Sequence, residues 1–182
     1  MIPRLDHREP VSETVQHYVR ELHALGFEGE IHCDDATRTV LSTDNSIYQV
    51  YPQVVVFPKD HEDLCSIVRA AHDHEVTLYP RGGGTGTNAQ SLGAGVVVDT
   101  SKHMNRILEI NVEERWARVQ CGAVKDHLNA EIRQHGLFFA PDLSTSNRAT
   151  IGGMINTDAS GQGSVRYGKT RDHVLNLKAV LL

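Results

Sequence analysis

The sequence predicts an α+β fold, and three observations carry that prediction. Apolar residues recur at helical spacing in several stretches, two short Val-rich runs read as buried strands, and a third pair of strand-like segments is close enough in sequence to fold back as a hairpin. The chain has 182 residues, of which 40% are hydrophobic and 23% charged. Those values match ordinary folded chains, and the length suits one medium domain or two small ones with a sizeable core.

Val11, Val15, Val19, Leu22 and Leu25 share one helical face, and Gly26 follows as a stop signal. A weaker helical pattern covers Asp34 to Ser42. It leads through the polar Thr43-Asp-Asn-Ser stretch to Val54–Phe57, a strand bracketed by Pro52 and Pro58. Asp60 is placed to cap a helix whose apolar stripe is Leu64, Ile67, Val68 and Ala71, and Val76–Tyr79 returns as a strand. A strand–helix–strand crossover of this kind is expected to join parallel neighbours. Val96–Asp99 is another buried-type strand, while Ile107–Ile110 and Trp116–Cys121 form a hairpin around Val112-Glu-Glu-Arg115. Val124, Leu128 and Ile132 define a further helix, stopped by Gly136. Periodicity then fades from Pro141 to Arg171, a length of loop that compact domains keep for function, and Ile151, Met154, Ile155 and Val165 mark it as packed. Val174–Leu182 reads as a strand that stops without a turn or polar tail, which suggests a truncated chain.

Several function classes are excluded early. With 18 Lys+Arg against 23 Asp+Glu the formal charge is −5, and no basic stripe interleaved with aromatics occurs, so nucleic acid is not an expected partner. Apolar runs such as Val54–Phe57 and Val96–Val98, three or four residues long, are far too short to span a bilayer, and the N-terminus lacks the hydrophobic segment of a secretory signal. Cys33, Cys65 and Cys121 are odd in number and scattered, without metal-ligand or disulfide spacing. A reducing cytoplasm is the expected location. Among 11 histidines the one close pair is His72 and His74, whose spacing sends the rings to different sides of a helix, so no metal site is expected.

The chemistry-bearing segment is Pro80-Arg81-Gly82-Gly83-Gly84-Thr85-Gly86-Thr87-Asn88. Four glycines within Gly82–Gly86, directly after a strand, permit backbone geometries that side chains forbid, and their successive N–H groups can converge on a phosphate. A Walker A loop is ruled out because no lysine occurs between Lys59 and Lys102. A Rossmann turn is disfavoured too. Only the nine residues Thr87–Gly95 separate Gly86 from Val96, leaving no room for a helix, and the first acid, Asp99, comes 13 residues after Gly86 rather than about 20. What remains is a short loop whose amides, aided by Thr85, Thr87, Asn88 and Ser91, clasp a diphosphate. A second polar segment runs from Ser144 to Gly153. Thr150 is placed to cap a short helix whose first amides, with Gly152 and Gly153, are expected to face an anion. Two such segments suit an extended dinucleotide held at more than one point.

The combination of Pro80-Arg-Gly-Gly-Gly-Thr-Gly, Thr150-Ile-Gly-Gly and Arg166-Tyr-Gly-Lys-Thr-Arg-Asp-His-Val174 resembles the FAD-binding domain of the vanillyl-alcohol oxidase / p-cresol methylhydroxylase superfamily, in its D-2-hydroxyacid dehydrogenase branch. Met1-Ile-Pro, Ser42–Tyr48, Pro80–Asn88 and Leu143–Thr150 are similar to the N-terminal part of bacterial D-2-hydroxyglutarate dehydrogenases, large proteins with a flavin half and a C-terminal iron–sulfur half. The resemblance covers essentially the whole chain. It implies a two-lobed α+β FAD-binding domain of the p-cresol methylhydroxylase type with its second lobe truncated. Residues 1–50 are then a helical extension, 51–100 a first lobe with the pyrophosphate loop, and 101–182 the start of the second.

The resemblance implies FAD contacts along Pro80–Asn88, at Ser144, Thr145, Thr150, Gly152 and Gly153, and at Asn156, Ala159, Gly161, Tyr167 and Gly168. Where relatives often read Asn-Ala-Gly-Gly, this chain has Asp158-Ala-Ser-Gly161, so the implied contacts do not extend to Asp158 and Ser160. Covalent members place His where Thr85 stands and Cys near Arg148 and Ala149, so FAD is expected to be non-covalent. The implied activity is oxidation of a D-2-hydroxy acid, D-2-hydroxyglutarate to 2-oxoglutarate first, with D-lactate or glycolate, or a non-catalytic nucleotide-binding module, as alternatives. Catalytic groups, any divalent metal and the iron–sulfur cysteines belong to segments beyond this chain, which alone is expected to be inactive.

Overall fold

The computed structural model describes residues 10–181, so the expectations for residues 1–9 lie outside it. The chain forms two compact units. One is built from the residues up to Pro80 together with Gly86–Val98, the other from Arg81–Thr85 and Asp99–Val180.

The first unit is a sheet covered on both faces. Helix α1 (Glu13–Ala24) begins at Ser12, whose side chain accepts the Val15 N–H. Strand β1 (Glu30–His32) and helix α2 (Asp35–Val40) follow, then β2 (Val54–Phe57), α3 (His61–Asp73), β3 (Leu78–Arg81) and β4 (Val96–Asp99). The sheet order is β1-β2-β4-β3, with β1 antiparallel to β2 and β2 parallel to β4. Val54, Val56, Val96 and Val98 face one way, into a core with Val15, Tyr18 and Leu22 of α1 and Ile67, Ala70 and Ala71 of α3. Val55, Phe57 and Val97 face the other way, with Leu41 and Tyr79. Strands buried on both faces read as unbroken apolar runs, which is why these two were visible without alternation.

The expected adjacency of the two strands flanking α3 is corrected, because β4 lies between β2 and β3. Burial explains the order: β4 is buried along its whole length, whereas β3 is half exposed and carries Pro80, which lacks the N–H a central strand needs. The return strand also starts later than the Val76–Tyr79 reading, at Leu78. The segment read as an N-terminal extension supplies both α1 to this core and β1 to the sheet edge. Asp60 caps α3 by accepting the Asp63 N–H at 2.9 Å, as expected. Asp63 itself is buried and accepts the Glu28 and Lys59 N–H groups, each at 2.8 Å, tying the turn after α1 to the start of α3.

The second unit holds the hairpin β5 (Ile107–Asn111) and β6 (Trp116–Val119), antiparallel, then α4 (Lys125–Arg133), α5 (Ile151–Asn156), α6 (Ser164–Tyr167) and a 3₁₀ turn at Thr170–His173. Its core gathers Ala123, Leu128, Ile132, Ala149, Ile151 and Met154. The aperiodic 141–171 stretch is therefore ordered, but through short helices and side-chain ties. Asp158, held at φ +47°, accepts the Arg171 N–H and pairs with its guanidinium, and Thr170 Oγ1 donates to Ala159 O at 2.6 Å. The strand expected from Val174 is absent among the described residues. A strand needs a hydrogen-bonding neighbour, none of the described segments pairs with it, and Leu175, Leu177 and Leu181 stand exposed.

At the sheet edge His32 is held by two carboxylates, its Nε2 3.0 Å from Glu30 Oε2 and its Nδ1 3.1 Å from Asp34 Oδ2. Only the imidazolium donates from both nitrogens, so the Glu30 and Asp34 bonds raise the His32 pKa above 6.5. Asp34, which caps α2, is pulled down to about 2, first by the Thr37 N–H and also by the Thr37 hydroxyl and His32. For a histidine with a raised folded-state pKa, the stabilisation is full below the unfolded value and lost as pH rises through the folded one. The stability difference between the protein and His32→Gln, followed by urea unfolding from pH 5 to pH 9, is expected to be largest at the acid end and to vanish above the His32 pKa measured by NMR. A difference that grows with pH would contradict this.

Candidate cofactor site

The glycine run starts where β3 ends, and Arg81–Thr85 belong to the second unit. The backbone there lies directly on the segment leading into α5. A Cβ at Gly82 would collide with Thr150 Oγ1, and one at Gly83 with the Arg148 carbonyl oxygen. Gly84 has φ +60°, and a Cβ there would stand 2.6 Å from Arg81 Nη2. These glycines are set by close approach and by one left-handed residue rather than by flexibility. Among the described residues, none of the N–H groups of Gly82, Gly83, Gly84 and Thr85 donates a hydrogen bond. Four consecutive amides without a protein acceptor, on a rigid backing, are what a diphosphate requires.

Arg81 lies beneath this loop with 11% of its side chain exposed. Its Nε is 3.8 Å from Asp99 Oδ2, and Asp99 is 7% exposed. Asp99 Oδ1 in turn accepts the Ser101 N–H at 2.8 Å and the Ser101 hydroxyl at 2.6 Å. The Arg81 carbonyl accepts the Thr100 N–H at 3.0 Å.

The second segment behaves differently from its sequence reading. Thr150 is buried and caps α5, accepting the Gly153 N–H at 3.3 Å. The amides expected to face an anion, however, are already engaged: Ile151 donates to Ala123 O at 2.8 Å and Gly152 to Cys121 O at 2.7 Å. Gly152 is a packing glycine, since a Cβ would sit 2.7 Å from Cys121 Cβ. The α5 start is thus the backing of the Gly82–Gly83 backbone, not a second anion cradle. Lys125, at the start of α4 and buried, reaches Asp142 Oδ1 at 3.1 Å, which lowers the Asp142 pKa. Ser146 Oγ donates to Asp126 Oδ2 at 2.9 Å. Together they fix the loop carrying Ser144, which is exposed, and Thr145, which is half-buried.

In the first unit the run continues through Gly86, Thr87 and Asn88. Asn88 donates its N–H to Gln90 Oε1 at 2.9 Å, and Ser91 is buried with its hydroxyl on Asp44 Oδ2 at 3.0 Å. Ser91 therefore holds the loop exit rather than a ligand, which corrects its expected place in the clasp. Asn156, Ala159, Gly161, Tyr167 and Gly168 fall on α5 and the turns after it. Ala159 O is taken by Thr170, the Gly161 N–H donates to Ser164 Oγ at 2.9 Å, and Tyr167 is exposed with its ring edge-on to Phe138. Sequence reading missed Thr100, Ser101, Lys125 and Asp142, and weighed Asp99 only as a failed ribose partner. No local pattern marks residues whose partners lie far along the chain. No cluster of metal-ligating side chains occurs among the described residues, and no helix is long and apolar enough to cross a membrane.

The profile of the family described as FAD binding domain matches residues 52–182. The chain is 62% identical over 185 aligned positions to D-2-hydroxyglutarate dehydrogenase of Pseudomonas putida, an alignment covering 100% of this chain and 18% of that protein. The chain thus spans about a fifth of the length of that relative. Among solved structures, an alkyldihydroxyacetonephosphate synthase superposes with a TM-score of 0.80 at 25% identity, over 91% of this chain and 33% of its own. p-Cresol methylhydroxylase superposes at 0.68 and 17% identity, over 83% and 31%, which shows the fold.

Two substitutions test the backing. Gly83→Ala drives a methyl into the Arg148 carbonyl and is expected to cost about 2 kcal/mol or more, as over-packing does. Thr150→Ala, which removes the cap of α5, is expected to cost about 1–2 kcal/mol. Denaturant unfolding measures both, and a neutral Gly83→Ala would show that the contact is absent in solution.

Proposed function

This chain belongs to the FAD binding domain family, and from that premise we propose that it is the cofactor-holding part of a flavin dehydrogenase acting on a D-2-hydroxy acid, first of all D-2-hydroxyglutarate. The observation that carries the cofactor assignment is the run of unengaged amides at Gly82–Thr85 on its glycine-tight backing. The substrate assignment rests on the relative's 62% identity across this chain. FAD, when bound, supplies the acceptor for the hydride that the substrate loses from its hydroxyl-bearing carbon. The residues of this chain bind and orient it. Gly82–Asn88 would hold the pyrophosphate, and Ser144, Thr145, Thr150, Gly152, Gly153, Asn156, Ala159, Gly161, Tyr167 and Gly168 would line the rest. Since the α5 amides point inward, Thr150, Gly152 and Gly153 contribute shape rather than hydrogen bonds to phosphate. Binding is non-covalent, because Thr85 has no ring nitrogen to alkylate and Arg148 and Ala149 have no thiol. A reducing, cytoplasmic setting fits the three unpaired cysteines.

In the full natural protein, D-2-hydroxyglutarate is expected to bleach the flavin absorbance while D-lactate and glycolate do so more slowly, if at all. Faster bleaching by either of those acids would move the substrate assignment to it. Acid precipitation is expected to leave the flavin in the supernatant. Gly84→Val, which places a branched side chain at φ +60° against Arg81, is expected to abolish flavin retention with circular dichroism unchanged. Equal flavin content in that variant would reject the loop as the pyrophosphate site.

A further inference from the structure

Arg81 is fixed from three consecutive residues at and just beyond the end of the neighbouring strand β4, Asp99, Thr100 and Ser101. Thr100 holds its carbonyl oxygen through the N–H at 3.0 Å and the hydroxyl at 3.2 Å, so the peptide that opens the glycine run cannot rotate. Asp99 faces its Nε at 3.8 Å, and Ser101 immobilises Asp99 with two hydrogen bonds at 2.8 and 2.6 Å. Both charged side chains are almost fully buried. The guanidinium also lies against Gly84, where an added Cβ would stand 2.6 Å from Nη2, 3.0 Å from Cζ and 3.5 Å from Nε.

A buried ion pair costs desolvation and is weak evidence for a stabilising role, so its placement asks for another use. We infer that Asp99-Thr100-Ser101 is a positioning device for the diphosphate of the dinucleotide: it pins the Arg81 guanidinium beneath Gly84, so that a fixed positive charge backs the loop amides. This rests on the functional reading given above and adds three residues to it. Arg81 acts through the loop rather than by touching the ligand, and Asp99 and Ser101 act through Arg81. Charge fixed in a dry site before the ligand arrives costs no reorganisation on binding. The device recognises the diphosphate and is indifferent to the flavin ring.

The test is equilibrium titration of the apo form of the full natural protein with FAD and with riboflavin, which lacks the diphosphate. It covers wild type, Arg81→Met, Arg81→Lys, Asp99→Asn and Ser101→Ala, each with its thermal midpoint. Arg81→Met and Asp99→Asn are expected to weaken FAD about tenfold or more while leaving riboflavin within twofold, the size expected for a lost hydrogen-bonded charge. Ser101→Ala is expected to lose less, and Arg81→Lys to recover part of the affinity and of its salt dependence. A merely structural role would weaken both flavins together and in proportion to the loss of thermal midpoint; that result overturns the inference, as does FAD affinity unchanged in Arg81→Met and Asp99→Asn. Arg81→Lys and Ser101→Ala, the milder changes, decide the matter should the others fail to fold. Wild-type protein that binds no FAD overturns the functional reading itself.

Discussion

The glycine loop depends on one close approach, that of Gly82 onto the Thr150 side chain and of Gly83 onto the Arg148 carbonyl. The loop comes this close only because Gly82 and Gly83 have no side chains, and the closeness has two effects. It gives the loop a backing stiff enough to hold its amides in a fixed array, and it directs the hydrogen bonds of the α5 start away from the loop, toward Cys121 and Ala123. An amide array is useful as an anion site only if nothing in the protein competes for it. The arrangement separates the two roles between neighbouring segments: one presents donors, the other supplies the surface they rest on.

The first unit solves a different problem, that of positioning β3 so that its end is both fixed and accessible. With α1 and α3 on one face of the sheet and Leu41 and Tyr79 on the other, β2 and β4 are buried along their whole length. The half-exposed β3 is left for the edge, where Pro80 is tolerated. Asp63 joins the turn after α1 to the start of α3, so the helices that cover the sheet are tied to each other as well as to it.

Much of this was legible in sequence because it is local. The stripe Val15, Leu22 predicts its helix, Asp60 and Thr150 stand where caps stand, and the glycine run after a strand announces anion chemistry from a few adjacent residues. What was not legible depends on distant partners. The insertion of β4 between β2 and β3 follows from relative burial, which no window of sequence contains. The engagement of the α5 amides depends on carbonyls of Cys121 and Ala123, some thirty residues earlier. Asp99 illustrates the limit: its spacing from Gly86 disqualified it as a ribose ligand, yet folding brings it under the same loop, facing Arg81. The Val174 stretch shows the converse. Strand-forming composition is not a strand until another edge accepts it.

The place of β4 in the sheet has a consequence for how the chain is made. Its Val96–Val98 segment is central in space but arrives last among the strands of the first unit, after the excursion of Arg81–Thr85 into the second. Until residue 98 has left the ribosome, β2 and β3 have no common neighbour, and each presents an edge of unpaired backbone N–H and C=O groups to whatever is nearby. The order of synthesis gives the nascent chain an interval in which assembly, rather than chemistry, is its exposed point.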